Sequence, residues 1–320
     1  MGTGKLVGPD VERTTFENLA QMLLDDYKMN ARKSIRRATS SVKNLRKFFG
    51  FHRALEITSD RITAYVQWRQ EGNPRPAKPA TIQNELAALK RMFTLGVQAG
   101  KVYQRPHIPS LKVQNVRTGF FTEAEFHAVL RHLPEDVRPV VQFAYLTGWR
   151  IGEILSMCWS QVDLAAGQVR LEPGSTKNGQ GRVFPFDVYP ELASVMHRQR
   201  ERTTAAERNT GTIIRWVFHR GEKPIRDFRS AWRTACEKAG VQGRLVHDLR
   251  RTAVRNLERA GVSRSVSMLL TGHLTESIFR RYCIASESDL AEGVKKLAAL
   301  QHNDPGRTNR VIPIRPQKKA

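Results

Sequence analysis

The chain has 320 residues, of which 40% are hydrophobic, and its formal net charge is +23. This length suits about two domains. The hydrophobic content is enough to bury cores, which excludes a globally disordered chain. No uninterrupted apolar run is long enough to cross a bilayer, and residues 1–10 lack the apolar stretch of a secretory signal. We therefore expect a protein without a membrane partner.

The basic surplus extends over the whole chain. Residues 1–118 carry 21 lysines and arginines against 9 acidic residues, and residues 119–320 carry 32 against 21. A surplus spread over two folded domains indicates a large polyanion as partner, and nucleic acid is the leading candidate. The alternative is a soluble basic protein whose charge has no specific partner.

Motifs for common cofactors are missing. Gly2–Lys5 lacks the spacing and the Ser/Thr of a P-loop, and there is no H-E-x-x-H motif or Cys/His cluster. Cys158, Cys236 and Cys283 are far apart and odd in number, which predicts free thiols in a reducing compartment. We expect no metal and no ATP, and a cytoplasmic location.

Residues 14–103 are predicted to form an all-helical domain after an N-terminal extension at 1–13. Thr14 and Glu17 have the spacing of a capping box before the first helix. A second helix has apolar residues three and four apart and a cationic opposite face. Its apolar stripe is Ile35, Ala38, Val42, Leu45 and Phe49. The candidate DNA-binding residues of the cationic face are Arg32, Arg36, Lys43 and Lys47, for which a merely solvated face is the alternative.

Two further helices complete this domain in the prediction, at about Asp60–Gln70 and Thr81–Ala99. The second of them ends before Gly100, a residue that favours helix termination. Its predicted apolar stripe is Ile82, Leu86, Leu89, Phe93 and Val97. Residues 104–118 contain two prolines and no acidic residue, which predicts an extended basic linker; an ordinary surface loop is the alternative.

Residues 119–302 are predicted to form a second, mixed α/β domain that opens with a capping box at Thr122 and Glu125. The expected helices are about 123–131, 135–146, 150–158, 190–202, 225–239, 247–260, 263–271 and 286–300. The expected strands are 168–171, 182–186 and 213–218, and the first two flank a hairpin tip. Residues 303–320 form a basic tail with few core-forming residues, which we expect to be disordered. The fold class is thus mainly α with a small antiparallel β-sheet.

Five motifs in the second domain carry residues suited to phosphate chemistry. They are Thr147–Glu153 (TGWRIGE), Ser175–Gly179 (STKNG), His247–Arg250 (HDLR), Thr271–His273 (TGH) and Arg280–Tyr282 (RRY). Glu153 lies one turn after Arg150, where its carboxylate can hold the guanidinium. His247 and Arg250 are three residues apart and therefore share a helix face. Taken singly, each motif has a structural explanation.

Together, in the order Arg, Lys, His-x-x-Arg, Gly-His and Tyr, these motifs resemble those of the tyrosine recombinases, also called phage-type integrases. The surrounding segments TGWRIGEIL, STKNGQGRVFP, VHDLRRT and LLTGH agree with the resemblance, which covers most of the chain. The matching positions are Tyr282 for the nucleophile, Arg150 and Arg250 for the pair that grips the scissile phosphate, His247 for the motif histidine, Lys177 for the hairpin lysine, His273 for the His/Trp position, and Glu153 for the acidic support of the first arginine.

The resemblance implies a two-domain clamp on double-stranded DNA, with a helical core-binding domain and a catalytic domain. It implies transfer of a DNA strand to the tyrosine as a 3′-phosphotyrosyl link without metal or ATP. Four protomers would act on two DNA sites through a Holliday junction, together with any accessory DNA-bending or directionality proteins, at the bacterial nucleoid. The segment 286–300 is a candidate for exchange between protomers; packing on its own domain is the alternative.

Other functions stay open at this point. A type IB topoisomerase uses similar residues but reseals the same strand. A non-catalytic DNA-binding protein, such as a directionality factor or a degenerate integrase, would need no complete residue set. Within the family, the sequence allows integration and excision of a phage or mobile element, which we favour, or resolution of chromosome dimers.

Overall fold

The structure, a computed structural model, describes residues 9–72, 75–113, 119–174, 181–280, 282, 290–291, 293–295 and 297–298. The chain divides into two compact units, Met1–Asn115 and Val116–Ala320. The division falls inside the predicted linker, 104–118. Lys177, Arg281 of the RRY motif, the segment 283–289 and the tail at 303–320 lie outside the described residues.

The regular secondary structure described in the first unit is helical, apart from a bridge between Thr15 and Arg53. Its helices are α1 (Pro9–Arg13), α2 (Phe16–Met29), α3 (Ile35–Phe49), α4 (Ser59–Glu71) and α5 (Pro79–Gln98). The apolar stripe of α3 packs inward, since Val42, Leu45 and Phe49 are buried. The helices predicted for this region are therefore confirmed.

The predicted capping box of α2 was wrong by one residue. Thr15, not Thr14, is the N-cap: its hydroxyl accepts from the backbone N–H of Asn18 at 3.3 Å, and the side-chain Oδ1 of Asn18 accepts from the Thr15 N–H at 2.9 Å. Glu17 instead receives two hydrogen bonds from Arg46 of α3, at 2.6 and 2.8 Å. Asn18 satisfies the same helix-end donors as the expected glutamate would.

The apolar stripe of α5 is confirmed at four positions and wrong at the fifth. Ile82, Leu86, Leu89 and Phe93 are buried, whereas Val97 is 39% exposed. Gly96 occupies the inward position beside it. A Cβ on Gly96 would lie 2.6 Å from Leu19 Cδ2 and 2.9 Å from Val102 Cγ2, so the close approach of these side chains depends on a glycine.

A buried carboxylate joins three helices of this unit. Glu85 of α5 is 1% exposed. It accepts two hydrogen bonds from Arg69 of α4 at 2.8 and 2.9 Å, one from the Tyr65 hydroxyl at 2.7 Å and one from Asn44 of α3 at 2.7 Å. Burial, followed by the Glu85 charge, raises the pKa of Tyr65. The phenol therefore stays protonated as a donor.

We predict that Glu85→Gln lowers the free energy of unfolding by about 3 kcal/mol, because it leaves the Arg69 cation, whose side chain is 16% exposed, without its buried charge partner. Urea unfolding of the full chain, followed by circular dichroism, measures the change. Glu17→Gln is the matched control: its carboxylate and Arg46 are about half exposed, so its loss is expected to cost less than about 1 kcal/mol. Equal losses for both variants would contradict the prediction.

The second unit surrounds a separate core with helices and two small sheets. Its helices are α6 (Glu123–Arg131), α7 (Arg138–Thr147), α8 (Ile151–Leu155), α9 (Pro190–Thr210), α10 (Arg229–Lys238), α11 (Val246–Arg259), α12 (Arg264–Thr271) and α13 (Glu276–Phe279). Its strands are β1 (Val162–Asp163), β2 (Gln168–Leu171), β3 (Arg182–Pro185), β4 (His219–Arg220) and β5 (Lys223–Pro224). The predicted fold class, mainly α with a small antiparallel sheet, is confirmed.

The sheet that matters for the site has the order β1-β2-β3 and is antiparallel throughout. In its register Val169 pairs with Phe184 and Leu171 pairs with Arg182. Successive residues of a strand point to opposite faces of the sheet, so residues two apart share a face. Phe184 is buried, so Arg182, two residues before it, shares the inward face of β3.

The structure corrects some predicted elements of this unit and keeps others. The strand expected at 213–218 is reduced to a bridge between Trp216 and Cys158, and the paired strand starts only at His219. Val217 and Phe218 are both buried, so the alternation that a half-exposed strand requires fails there. Helix α9 runs to Thr210 instead of 202 and ends at Gly211, which has φ of +67°. The Thr122–Glu125 capping box is present.

The described part of the predicted C-terminal helix is helical at 290–291, 293–295 and 297–298. Its apolar residues lie in solvent: Leu290, Val294 and Leu297 are 63%, 66% and 58% exposed. Among the described helices of the chain, none combines the length and apolar character that a membrane span requires.

Candidate active site

Arg150 is placed by a tight turn between two helices. Helix α7 ends at Gly148, whose φ of +65° is left-handed, and Arg150 then serves as the N-cap of α8. Its Nη1 donates to Glu153 Oε1 at 3.0 Å, and its Nη2 donates to the carbonyl oxygen of Gly272 at 3.2 Å. The pairing predicted between Arg150 and Glu153 is thus present. About a quarter of the Arg150 side chain stays exposed.

Arg250 lies deeper, on α11, and is 2% exposed. Its Nη1 donates to the carbonyl oxygens of Gly148 and Thr271, both at 2.6 Å. Its Nη2 lies 2.9 Å from His273 Nε2. Burial and then the neighbouring Arg150 lower the pKa of Arg250 to about 10, so it remains a cation at neutral pH.

The contacts of His273 define its protonation state. The ring is 6% exposed, and burial followed by the charge of Arg250 lowers its pKa to about 3, so it is neutral at pH 7. An arginine has only donors, so Nε2 must accept from Arg250. Nδ1 then carries the proton and donates to Thr271 Oγ1 at 2.7 Å, and that hydroxyl donates to the carbonyl of Ser267 at 2.6 Å.

Tyr282 reaches this cluster within its own unit. Its hydroxyl oxygen lies 2.8 Å from His247 Nε2, and its ring centroid lies 4.8 Å from that of His273. The guanidinium carbon of Arg250 is 5.9 Å from the Tyr282 ring. Helix α13 holds this segment through Phe279, which is fully buried and packs edge-on against His273.

His247 is suited to accept a proton from Tyr282. His247 keeps an exposed edge, but desolvation by the surrounding protein is the main cause that lowers its pKa, and the adjacent Arg250 lowers it further. The imidazole is therefore neutral at pH 7, and its Nε2 can accept a hydrogen bond from the phenol. A general base needs this combination of hydrogen-bond reach and an unprotonated nitrogen.

Sequence reasoning missed Arg182. It is 7% exposed, forms an ion pair with Glu153, and its guanidinium carbon lies 4.4 Å from the centre of the Trp149 ring. Burial lowers its pKa despite the favourable charge of Glu153. The signal was available in the period of two along β3, which places Arg182 on the same face as Phe184.

The arrangement concentrates positive charge. Arg150 and Arg182 both pair with Glu153, and Arg250 lies beside them on main-chain carbonyls and His273. Among the described contacts of these three guanidiniums, Glu153 is the one carboxylate. Two arginines in planar, preorganised positions suit the nonbridging oxygens of a phosphate. Lys177 belongs to the connection between β2 and β3 and lies outside the described residues. The site therefore has the chemistry of an anion pocket beside a tyrosine hydroxyl.

The cationic residues predicted on the second helix are placed on it with one exception. Arg36, Lys43 and Lys47 are exposed on α3 of the first unit, but Arg32 precedes that helix and pairs with Asp26 at 3.4 Å. Placing Arg32 on the helix face was therefore wrong, because α3 begins only at Ile35.

Among the described residues, no group of three or more His, Cys, Asp or Glu side chains is arranged to hold a metal.

We predict that the neutral His273 makes the protein sensitive to acid. The unfolded-state pKa is about 6.5, so stability falls as the pH drops from 6.5 towards 3, by up to about 1.4 kcal/mol per pH unit for this group. Urea unfolding of wild type and His273→Asn between neutral and acidic pH measures it. The variant should lose stability less steeply, and parallel profiles would contradict the assignment.

Comparison with known proteins identifies the family. Residues 120–288 match the sequence model of the phage integrase family. The chain belongs to the phage integrase family, as the motifs predicted.

The relatives include the integrase of Salmonella phage P22, which is 24% identical over 71% of this chain and 59% of its own length. A shufflon-specific DNA recombinase of Escherichia coli is 28% identical over 71% of this chain and 58% of its own. The tyrosine recombinase XerC of Roseiflexus castenholzii is 26% identical over 74% and 76%. The chain thus spans less than two thirds of the length of the first two relatives.

Solved structures share the fold. A lambda integrase dimer bound to a COC′ core site has a TM-score of 0.65 at 20% identity and covers 82% of this chain and 76% of its own. A lambda integrase tetramer bound to a Holliday junction has a TM-score of 0.64 at 19% identity, with coverage of 83% and 79%.

Proposed function

We propose that the protein is a site-specific DNA recombinase that cuts and rejoins strands through a 3′-phosphotyrosyl intermediate. The observation that carries this proposal is the 2.8 Å contact between the Tyr282 hydroxyl and His247 Nε2, beside the buried Arg250–His273 pair. A nucleophile, a neutral base and a cationic phosphate site are the groups that phosphoryl transfer to tyrosine requires.

The arginines act on the charge of the phosphate. A phosphodiester anion repels an incoming oxygen, and negative charge grows on its nonbridging oxygens during transfer. Arg150 and Arg250 are held by fixed acceptors before DNA binds, so little reorganisation is needed during the reaction. A preorganised donor of this kind typically lowers a barrier by about 3–4 kcal/mol.

Proton transfers complete the step. The Tyr282 oxygen forms a bond to phosphorus while the bond from phosphorus to the 5′ oxygen breaks. A free phenol has a pKa of about 10, so its proton must leave during attack, and His247 receives it. Lys177 gives a proton to the departing 5′ oxygen. The reverse reaction, with a 5′-hydroxyl from another strand, restores the phosphodiester and frees Tyr282.

The phosphotyrosyl bond conserves the energy of the broken phosphodiester. Rejoining therefore needs neither ATP nor a metal to drive it, in keeping with covalent catalysis in general. This balance supports a reaction that proceeds without cofactors. We propose that the reaction takes place at the DNA of a bacterial nucleoid.

Both units would contact double-stranded DNA and close on it as a clamp. Arg36, Lys43 and Lys47 on α3 supply exposed cations in the first unit, joined by Arg32 from the preceding loop. Contacts of this type bind phosphates regardless of sequence and make affinity depend steeply on salt.

The active assembly would be a tetramer on two DNA sites. The related fold of lambda integrase forms a tetramer on a Holliday junction. The apolar side of the C-terminal helix supports exchange between protomers, since Leu290, Val294 and Leu297 are more than half exposed within the chain. Accessory DNA-bending or directionality proteins would act on this assembly.

Integration and excision of a phage or mobile element is the role that we favour, since phage P22 integrase is among the relatives. Similarity to a XerC recombinase keeps chromosome dimer resolution as the second role. A topoisomerase would relax supercoils without exchanging strands, which a plasmid assay with two sites distinguishes.

We predict that wild type forms a covalent adduct with nicked DNA and that Tyr282→Phe binds DNA without forming one, because the variant lacks only the attacking oxygen. A pool of nicked duplexes with a randomised core serves as probe. Adducts are isolated after denaturation and sequenced, which also defines the preferred site. An adduct with Tyr282→Phe would show that the nucleophile is misassigned, and no adduct with wild type would overturn the proposed function.

We predict opposite effects for arginines of the two units. Arg150→Ala should slow single-turnover cleavage about 100-fold or more while DNA affinity changes little, because the lost donor acts mainly in the transition state. Arg36→Ala should weaken binding and reduce its salt dependence, while cleavage at saturating protein stays close to wild type. Gel-shift affinities and single-turnover cleavage rates on the selected duplex measure both effects. Equal losses of binding and cleavage in Arg150→Ala would contradict the role of Arg150 in gripping the scissile phosphate.

A further inference from the structure

Arg182 is a buried cation to which the mechanism above gives no role. It lies at the start of β3, opposite Leu171 of β2, and its side chain is 7% exposed. Burying a cation is unfavourable unless a partner compensates for the lost hydration. The position of this arginine beside the phosphate site therefore calls for a specific explanation.

Three contacts fix the guanidinium. Its Nη2 donates to Glu153 Oε2, and its guanidinium carbon lies 4.4 Å from the centre of the Trp149 ring. It also fills the space beside Gly272, where any Cβ would overlap with it. Trp149 is itself immobilised, because it is 1% exposed and its Nε1 donates to the carbonyl oxygen of Leu270 at 2.9 Å.

Glu153 divides its two oxygens between the arginines. Oε1 accepts from Arg150 Nη1 at 3.0 Å, and Oε2 accepts from Arg182 and from the Arg150 backbone N–H at 3.2 Å. The carboxylate can therefore not rotate without losing Arg182. Its orientation in turn fixes one of the two acceptors that hold the Arg150 guanidinium, whose side chain is about a quarter exposed.

We infer that Arg182 is a positioning residue for strand cleavage: it locks the Glu153 carboxylate so that Arg150 is held in the geometry that grips the scissile phosphate. This inference rests on the proposed function and deepens it. Lysine would keep the charge at position 182 but lose the planar guanidinium that fills the space between the Trp149 ring and Gly272.

The test compares Arg182→Met and Arg182→Lys on the duplex selected with wild type. Single-turnover cleavage by Arg182→Met should be slower by about 100-fold, the effect of a lost catalytic donor, with DNA affinity close to wild type. The cleavage rate of Arg182→Lys should fall between those of wild type and Arg182→Met. Arg170→Met is the matched control: this arginine is exposed on the neighbouring strand β2, and its loss should leave the cleavage rate unchanged.

A double-mutant cycle with Glu153→Gln separates positioning from a general structural role. If Arg182 acts through Glu153, then adding Arg182→Met to Glu153→Gln slows cleavage little further, because residues in one ion-pair network are not additive. A rate reduction equal to the product of the two single effects would overturn the inference. Thermal unfolding shows whether Arg182→Met folds. If it does not fold, Arg182→Lys replaces it in the same double-mutant cycle.

A substrate with an uncharged methylphosphonate at the scissile position provides a second readout. Clamping of a phosphate anion is less needed there, so the defect of Arg182→Met should shrink on this substrate, and an unchanged defect would count against the inference. If wild type forms no Tyr282-dependent adduct, the proposed function fails. If wild type forms the adduct and Arg182→Met cleaves at the same rate, this inference alone fails.

Discussion

The second unit depends on a buried excess of positive charge around one carboxylate. Arg150 and Arg182 share Glu153, while Arg250 is held by main-chain oxygens and His273. Such an arrangement is unfavourable for the free protein, since like charges repel and burial removes their water. It becomes favourable when an anion enters, so the cluster is suited to a phosphate. The same positive charge, together with burial, lowers the pKa of His247 and of His273 and keeps both rings neutral.

The two units use buried carboxylates for different purposes. Glu85 of the first unit has one arginine and two neutral donors, so its charge is balanced and it connects helices. Glu153 pairs with two arginines, so this group of three side chains has a net charge of +1. A balanced pair contributes to the fold, whereas an unbalanced one creates a binding site. The surrounding charge therefore separates a structural acidic residue from a functional one.

Much of the fold followed from local patterns, because the helices have apolar residues at regular spacing and clear ends, as in α3 and at Gly100. The failures came where tertiary packing decided the outcome. Gly96 replaces Val97 in the core because two side chains approach closely, and the strand at 213–218 disappears because consecutive residues are buried.

The site residues were recognisable from their order along the chain, and the structure brings Arg150, His247, Arg250, His273 and Tyr282 together. Arg182 was missed because its partners, Glu153 and Trp149, are distant in sequence. The ends of α7 and α12 give this cluster a further property. Arg250 is anchored by the carbonyls of Gly148 and Thr271, and no codon change can delete a main-chain oxygen. Side-chain substitutions at these two positions therefore leave the acceptors of Arg250 in place as long as both helices end where they do. Substitutions of Gly148 or Gly272, the left-handed residues that end the two helices, are the ones expected to displace Arg250.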